Sequence, residues 1–438
     1  MLTITAILGI IADKFFTLEY LLFVGYLLLF AWLVTKVKFF THSGLSQSQL
    51  LIIFFLKVIV AIFYGWIGIY YGGYAKMWDT WVFHTYGLYE YNLMQTDPQE
   101  YLTNLFRNGY EDGMSRFFES RQSYWNDLKG NVFVKMLSVF DLLSLGHYYV
   151  NVIFYSFLSL FGPIALYRVM NDAFPGKKIL LLAAIIGVPS VLYWTSGTHK
   201  EGMIFSGIAI SLYCVYFARK EGRFSGKKIA ALLFSILMVL ILRNFIAILL
   251  VPALFTWYIS SRSNKNGLLI FSILYTLFII LFFNARQLTS RLDFPKAVVE
   301  KQHAFIKIKH GNTRVAIKAL EPTALSFLKN TPQSIKLTVL RPQPKDVHNL
   351  LSLVSVIETY LFYLLFLLFL WKRNPEPFDR KLIYFCLFFA FSVLLAIGFS
   401  NNNIGAIVRY RSLVIPFLII PLVVRINWSA IARFFRNK

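Results

Sequence analysis

Leu350 to Trp371 reads LLSLVSVIETYLFYLLFLLFLW, an apolar run interrupted by one carboxylate, Glu358. At about 1.5 Å of rise per residue, a helix of this length crosses the hydrocarbon core of a bilayer, about 30 Å thick. The chain repeats the pattern near 18–35, 50–71, 148–170, 179–196, 202–218, 229–242, 245–260, 267–284, 382–399 and 412–425. Continuous apolar runs cross as helices, which satisfy their own backbone polar groups. The reading is an all-α, polytopic membrane helix bundle of about eleven spans. Several runs hold only 14 to 17 residues, short for a lone spanning helix, so they are expected to pack inside the bundle.

Composition agrees. Of 438 residues, 57% are hydrophobic, 18% aromatic and 15% charged, with a mean hydropathy of +0.60. Soluble domains carry about a quarter charged residues, so an ordinary cytosolic enzyme is excluded, as are disordered and collagen-like chains. Cys214 and Cys386 both fall inside apolar runs and suggest neither a disulfide scaffold nor a metal site. Met1 to Ile11 is apolar without a positive leader, and is expected to be an interfacial or partly inserted helix rather than a removed signal peptide.

The net charge is +23. With the N-terminus outside, the connections on the cytoplasmic side carry twenty Lys and Arg, from Lys36 to Lys438. The short outer connections carry four: Lys200, Arg243, Arg409 and Arg411. That asymmetry orients the chain, with its C-terminus cytoplasmic. Five segments follow: 1–71 with the first two spans, 72–147 as a first large outer loop, 148–284 with spans three to eight, 285–349 as a second outer loop, and 350–438 with spans nine to eleven and a basic tail. The first loop has nine acidic and six basic residues; the second has twelve basic and four acidic. Apolar stretches at Tyr89 to Leu93, Val132 to Leu145 and Ala316 to Leu328 predict amphipathic helices on the membrane surface.

Four groups of residues carry possible chemistry. Asp79, in Met77-Trp78-Asp79-Thr80-Trp81, is a carboxylate between two indoles at a membrane surface, where partial desolvation raises its basicity. It is equally an N-terminal cap for a helix beginning there. His84 follows five residues later, and the two as a metal pair lack a third ligand. In Ser196-Gly197-Thr198-His199-Lys200-Glu201 polar residues interrupt two apolar runs for about five positions. Such a turn can contact a lipid phosphate or sugar, or be solvated with Lys200 reaching a headgroup. Arg243, Arg341, Arg409 and Arg411 come from separated parts of the chain to one expected membrane face, and guanidinium groups bind phosphate bidentately. Glu358, inside a span, is expected to face the bundle interior and pair with Arg243 or Arg409 as a structural ion pair.

Nucleic acid is excluded as a partner, because the basic residues flank spans rather than line one soluble face. Walker and dinucleotide glycine motifs are absent from the sequence.

Gly73 to Asp79, Pro189-Ser190 with Trp194 and Ser196-Gly197, Lys200-Glu201, Arg341-Pro342 with Asn349 and Glu358, and Gly405 with Arg409-Tyr410-Arg411 and Pro416 carry a resemblance. The pattern resembles bacterial polytopic GT-C glycosyltransferases and the related O-antigen polymerases of surface-polysaccharide assembly. The resemblance implies a sugar donor on polyprenyl phosphate or pyrophosphate and an active site facing away from the cytoplasm, in the bacterial inner membrane. It implies a catalytic role for Asp79 as base or metal ligand, with Arg409, Arg411 and Arg243 near the lipid phosphate. Lys200 and Arg341 join that phosphate set as further candidates, and His84, His199, Glu201 and Glu358 remain secondary ones. Two departures stand: the acidic loop follows the second span rather than the first, and no second carboxylate adjoins Asp79 in sequence. A divalent metal stays open as a cofactor. The expected partners are the lipid-linked glycan and membrane lipid. A lipid-linked glycan flippase or other secondary transporter, and a non-catalytic membrane subunit, are the competing readings.

Overall fold

The computed structural model describes residues 17–70, 79–111, 113, 117, 123–307, 313–374 and 379–436. The expected interfacial helix at Met1 to Ile11 and the Gly73 to Trp78 approach to Asp79 lie outside the described residues. The chain is all-α, 82% helical, with no strand among the described residues. Among the described residues eight helices are long and apolar enough to cross a membrane, so this is a multi-pass membrane protein.

In chain order the helices are α1 (Leu18–Lys36), α2 (Lys38–Thr41), α3 (Gln47–Tyr70), α4 (Asp79–Thr96), α5 (Pro98–Thr103), α6 (Tyr124–Ser144), α7 (Tyr148–Ala173), α8 (Lys178–Ile185), α9 (Pro189–Ser196) and α10 (Lys200–Lys220). They continue with α11 (Gly226–Leu242), α12 (Asn244–Arg262), α13 (Gly267–Asn284), α14 (Phe294–Lys307), α15 (Ala324–Val339), α16 (Leu350–Trp371), α17 (Arg380–Ser400), α18 (Ile404–Arg411), α19 (Ile415–Arg425) and α20 (Trp428–Arg436).

Every one of the eleven expected apolar runs is helical, but not all are simple spans. The run 179–196 is a bent pair, α8 with α9, and the run 412–425 is the second half of another, α18 with α19, each pair bent by 60°. Counting each pair as one span raises eight to ten, and the eleventh run is the 17-residue α11. The first break follows from Gly187-Val188-Pro189: the ring of Pro189 removes an N–H and excludes the preceding turn, so a new helix starts there. At the second, Pro416 opens α19. Arg409 and Arg411 therefore sit on a short helix leading into the last run, where the sequence suggests a loop.

Caps set the other boundaries. Asn349 and Ser352 make a reciprocal capping box at the start of α16, and the side chains of Asp379 and Asn403 accept the Leu382 and Ala406 amides. The expected helix at Ala316 to Leu328 is corrected: residues 316–321 are not helical, and α15 begins at Ala324 behind the cap of Thr323, with Pro322 preceding it. The stretches Tyr89 to Leu93 and Val132 to Leu145 fall in α4 and at the end of α6.

The chain forms two compact units, Met1–Arg107 with Gly130–Ile164 and Ser196–Gly202, and Asn108–Lys129 with Ala165–Thr195 and Met203–Lys438. They interleave in sequence and so cut across the five segments expected from loop lengths. In the first unit α3 packs against α1 and α4. In the second, α17 is the hub, contacting α12 to α15, α18 and α19. Its buried side chains include Leu382, Phe385, Phe389, Val393 and Leu394. By contrast α1, α13 and α16 leave large apolar side chains exposed, among them Leu28, Trp32, Ile280, Leu361 and Leu367. Helices that are apolar all round and bare on the outside are what lipid contact requires.

Candidate functional site

The first unit brings together residues 120 positions apart. Asp79 is the first described residue of α4, and His199 and Glu201 stand at the start of α10. His199 Nε2 lies 3.0 Å from Asp79 Oδ2, and His199 Nδ1 bonds Glu201 Oε2. The imidazole thus bridges two carboxylates, each on its own ring nitrogen. His199 and Glu201 are buried, whereas the Asp79 side chain is 49% exposed. Both acids lie in the first turns of their helices.

The turn that carries His199 is held on several sides. The Tyr155 hydroxyl donates to the His199 carbonyl, and Lys57 Nζ donates to Ser196 Oγ at 3.3 Å. A Cβ at Gly197 would stand 2.5 Å from the Tyr64 ring, so only glycine admits this approach. Phe83 packs edge-on against His199 at 5.6 Å, and Lys200 Nζ lies 4.7 Å from the same Phe83 ring. Thr80 and Tyr148 share a hydroxyl hydrogen bond of 2.7 Å beside the start of α4. A half-exposed carboxylate backed by a buried imidazole, itself oriented by a second carboxylate, is an acid–base arrangement.

His84 does not join Asp79, which corrects the metal pair considered from sequence. Asp79 faces His199, while the buried His84 Nδ1 is 4.0 Å from Asp141 Oδ1. The cause is helical geometry: five residues along a helix is well over a full turn and points the side chain elsewhere. Burial, aided by nearby His147, lowers the His84 pKa to about 4 and keeps its ring neutral. Among the described residues, no three His, Cys, Asp or Glu side chains gather as a metal-binding group.

In the second unit Arg243 and Arg409 meet over one side chain, Tyr410. The Arg243 guanidinium lies 3.9 Å from the Tyr410 ring centre, and Arg409 Nη2 is 3.5 Å from the Tyr410 hydroxyl. Arg409 also lies 5.6 Å from the Trp194 ring. Lys301, on α14, has its pKa lowered by burial, with Arg243 adding to the effect and Tyr410 opposing it. Asn244 anchors the connection carrying Arg243 by donating to the Phe117 carbonyl at 2.9 Å. This group is cationic and aromatic, suited to an anion or a sugar face.

Arg341 and Arg411 are elsewhere. Arg411 is fully buried: Nη1 donates to the carbonyls of Thr338 (3.2 Å) and Arg341, and Nη2 to Thr359 Oγ1 at 3.1 Å. Its Nη2 is also 3.7 Å from Glu358 Oε1. The guanidinium of Arg341 lies 3.6 Å from Asp346. Glu358 therefore pairs with Arg411, not with Arg243 or Arg409 as expected. It also accepts from the Ser190 backbone N–H at 2.7 Å and the Ser190 hydroxyl at 2.8 Å, capping the start of α9. Local sequence carries no sign of this choice, because the partners come from three separate helices. Sequence reading likewise passed over Lys57, Asp141 and Tyr410 as functional groups. Lys57 alone carried a signal, a cation in the middle of an apolar run.

Compared with known proteins, the chain matches no family model, no curated protein and no solved structure.

Proposed function

We propose that this chain is a bacterial inner-membrane glycosyltransferase acting on the extracytoplasmic face, with a sugar or oligosaccharide donor carried on polyprenyl phosphate or pyrophosphate. The observation that supports it most is the row Asp79, His199 and Glu201. Asp79, as the exposed member, takes the proton of an acceptor hydroxyl while that oxygen bonds to the anomeric carbon. The bond from the anomeric carbon to the phosphate oxygen breaks, and the electron pair leaves with the lipid phosphate. As an imidazolium, which donates from both ring nitrogens, His199 bonds Asp79 and Glu201 together and balances their charge. Arg243 and Arg409, which meet over Tyr410 within the second unit, are by their charge the groups we propose for binding a lipid phosphate. Arg411, spent inside the protein, is left out of that set. The resemblance of these same segments to GT-C enzymes and O-antigen polymerases points to surface-polysaccharide assembly.

The test is transfer by the purified chain in lipid nanodiscs from labelled polyprenyl-phosphate and polyprenyl-pyrophosphate sugars to an oligosaccharide acceptor. Asp79→Asn should lower the rate by a factor of about 10²–10⁴, the usual worth of general acid–base catalysis. Undiminished transfer by that variant rejects the mechanism.

A second reading draws support from the two bent helix pairs. Secondary transporters place broken helices at the substrate, with half-helix ends turned to its charges. A flippase would move a fluorescent lipid-linked sugar between leaflets of a liposome with no acceptor present. A transferase would not.

A further inference from the structure

Three helices of the first unit converge on side chains that the proposed reaction does not use. α4 supplies His84, α6 supplies Asp141 and Ser144, and α7 supplies Asn151, all at least nine-tenths buried. Asn151 Nδ2 donates to Asp141 Oδ1 at 2.6 Å. His84 Nδ1 is 4.0 Å from the same oxygen, too far for a hydrogen bond. His84 Nδ1, Asp141 Oδ2, Asn151 Oδ1 and Ser144 Oγ have no hydrogen-bond partner among the described residues. A buried polar atom left unsatisfied costs stability, and native folds rarely tolerate several together. The carboxylate and amide oxygens accept but never donate, so whatever satisfies them brings positive charge or protons.

The corner is closely built. Leu145 and Gly146, at φ of 53° and 80°, reverse the chain between α6 and α7 and fold Asn151 back onto Asp141. α4 approaches so closely that a Cβ at Gly87, one turn beyond His84, would lie 3.0 Å from Asp141 Oδ2. Edge-on contacts with Trp81 at 5.8 Å and Tyr148 at 5.3 Å hold the imidazole in place.

We propose that His84, Asp141 and Asn151 bind one divalent cation through the imidazole Nδ1, the carboxylate and the amide oxygen, with the Ser144 hydroxyl on the same helix face as Asp141. Bonds of about 2.0–2.2 Å to nitrogen and oxygen let a single ion bridge the gap between His84 and Asp141 that a hydrogen bond does not. One nitrogen among oxygens suits zinc or manganese; calcium takes oxygen alone and copper(I) prefers sulfur. The dication also offsets a carboxylate otherwise buried without a cation. Its effect is to tie α4, which carries Asp79, to the α6–α7 corner. The proposal stands independently of the glycosyl-transfer reading.

The experiment uses the full chain in nanodiscs, loaded with zinc or manganese and dialysed, with bound metal read by mass spectrometry and unfolding followed by heating. The wild type should retain one ion per chain, and EDTA should lower its melting temperature by several degrees, since a ligand of the native state alone stabilises it. Asp141→Asn and His84→Ala should retain none and be indifferent to EDTA. X-ray absorption of the loaded wild type, which needs no variant, should show one imidazole among oxygen ligands. Trace metal with EDTA-insensitive melting in the wild type would mean that the corner holds water, and overturns the proposal. Metal retained by Asp141→Asn, or sulfur in the absorption spectrum, would overturn it equally.

Discussion

The turn at His199 and the buried network at Glu358 use the same chemical parts to opposite ends. Each sets a carboxylate against a nitrogen-bearing side chain at the start of a helix. Around Glu358 every partner is internal: the Ser190 amide and hydroxyl, Arg411, and beyond Arg411 two carbonyls and Thr359. Glu358 is 2% exposed and Arg411 is wholly buried, so neither has a face for substrate. Around His199 the inner carboxylate is equally buried, but the outer one, Asp79, is half open. Residue type does not tell these two groups apart. What separates them is whether one member of the group keeps an accessible face.

The sharpest way to break that comparison is to remove charge from each region in turn. Asp79→Asn and Glu201→Gln should each cut transfer by a factor of about 10²–10⁴. Asp79→Asn should leave the melting temperature nearly unchanged, since half of its side chain is exposed. If Asp79→Asn unfolds the protein, the two regions are not different in kind.

Glu358→Ala is expected to act on stability instead. It strands a buried guanidinium and uncaps α9, costing about 3–5 kcal/mol, read as a lower melting temperature and poor yield of monodisperse protein. The paired change Glu358→Leu with Arg411→Met should recover most of that loss, because a buried ion pair is often replaceable by apolar groups of similar volume. Failure of the pair to recover would mean that the network does more than hold helices together.

Gly197→Ala tests the mounting of His199. The added Cβ meets the Tyr64 ring at 2.5 Å, so either the ring or the turn must move. The expected cost is about 1–3 kcal/mol in stability, together with a loss of transfer larger than that cost explains. Replacement of Tyr64 by Leu in the same chain should restore both in part.

The smallest effect expected is Arg409→Lys. The charge stays, but the planar fork that stacks near Trp194 and reaches Tyr410 is lost. The donor KM should rise about tenfold while the rate at saturation changes little. An unchanged KM would remove Arg409 from the phosphate role and leave Arg243 to be tested alone.

Much of the architecture was legible because lipid imposes a simple rule: a crossing segment must be apolar and must satisfy its own backbone. The runs at 18–35, 267–284 and 350–371 need nothing but composition to be read as helices. The same rule marked Asp79, His199 and Glu201 as interruptions worth explaining. It was blind to the bends, since 179–196 looks continuous by hydropathy while Pro189 breaks it into α8 and α9, and 412–425 gives no sign of α18, the bent helix before it. It was blind also to Asp141, one acid in an otherwise ordinary helix.

The class of the protein follows from composition and pattern alone, because hydropathy and charge act on each residue where it stands. Which ionisable groups meet depends instead on how whole helices pack: Asp79 with His199, His84 with Asp141, Glu358 with Arg411. These pairs join residues from 53 to 120 positions apart. A charge in an apolar surround must find a partner, but the energy is paid back by whichever partner the packing of whole helices brings within reach. No local pattern records that choice.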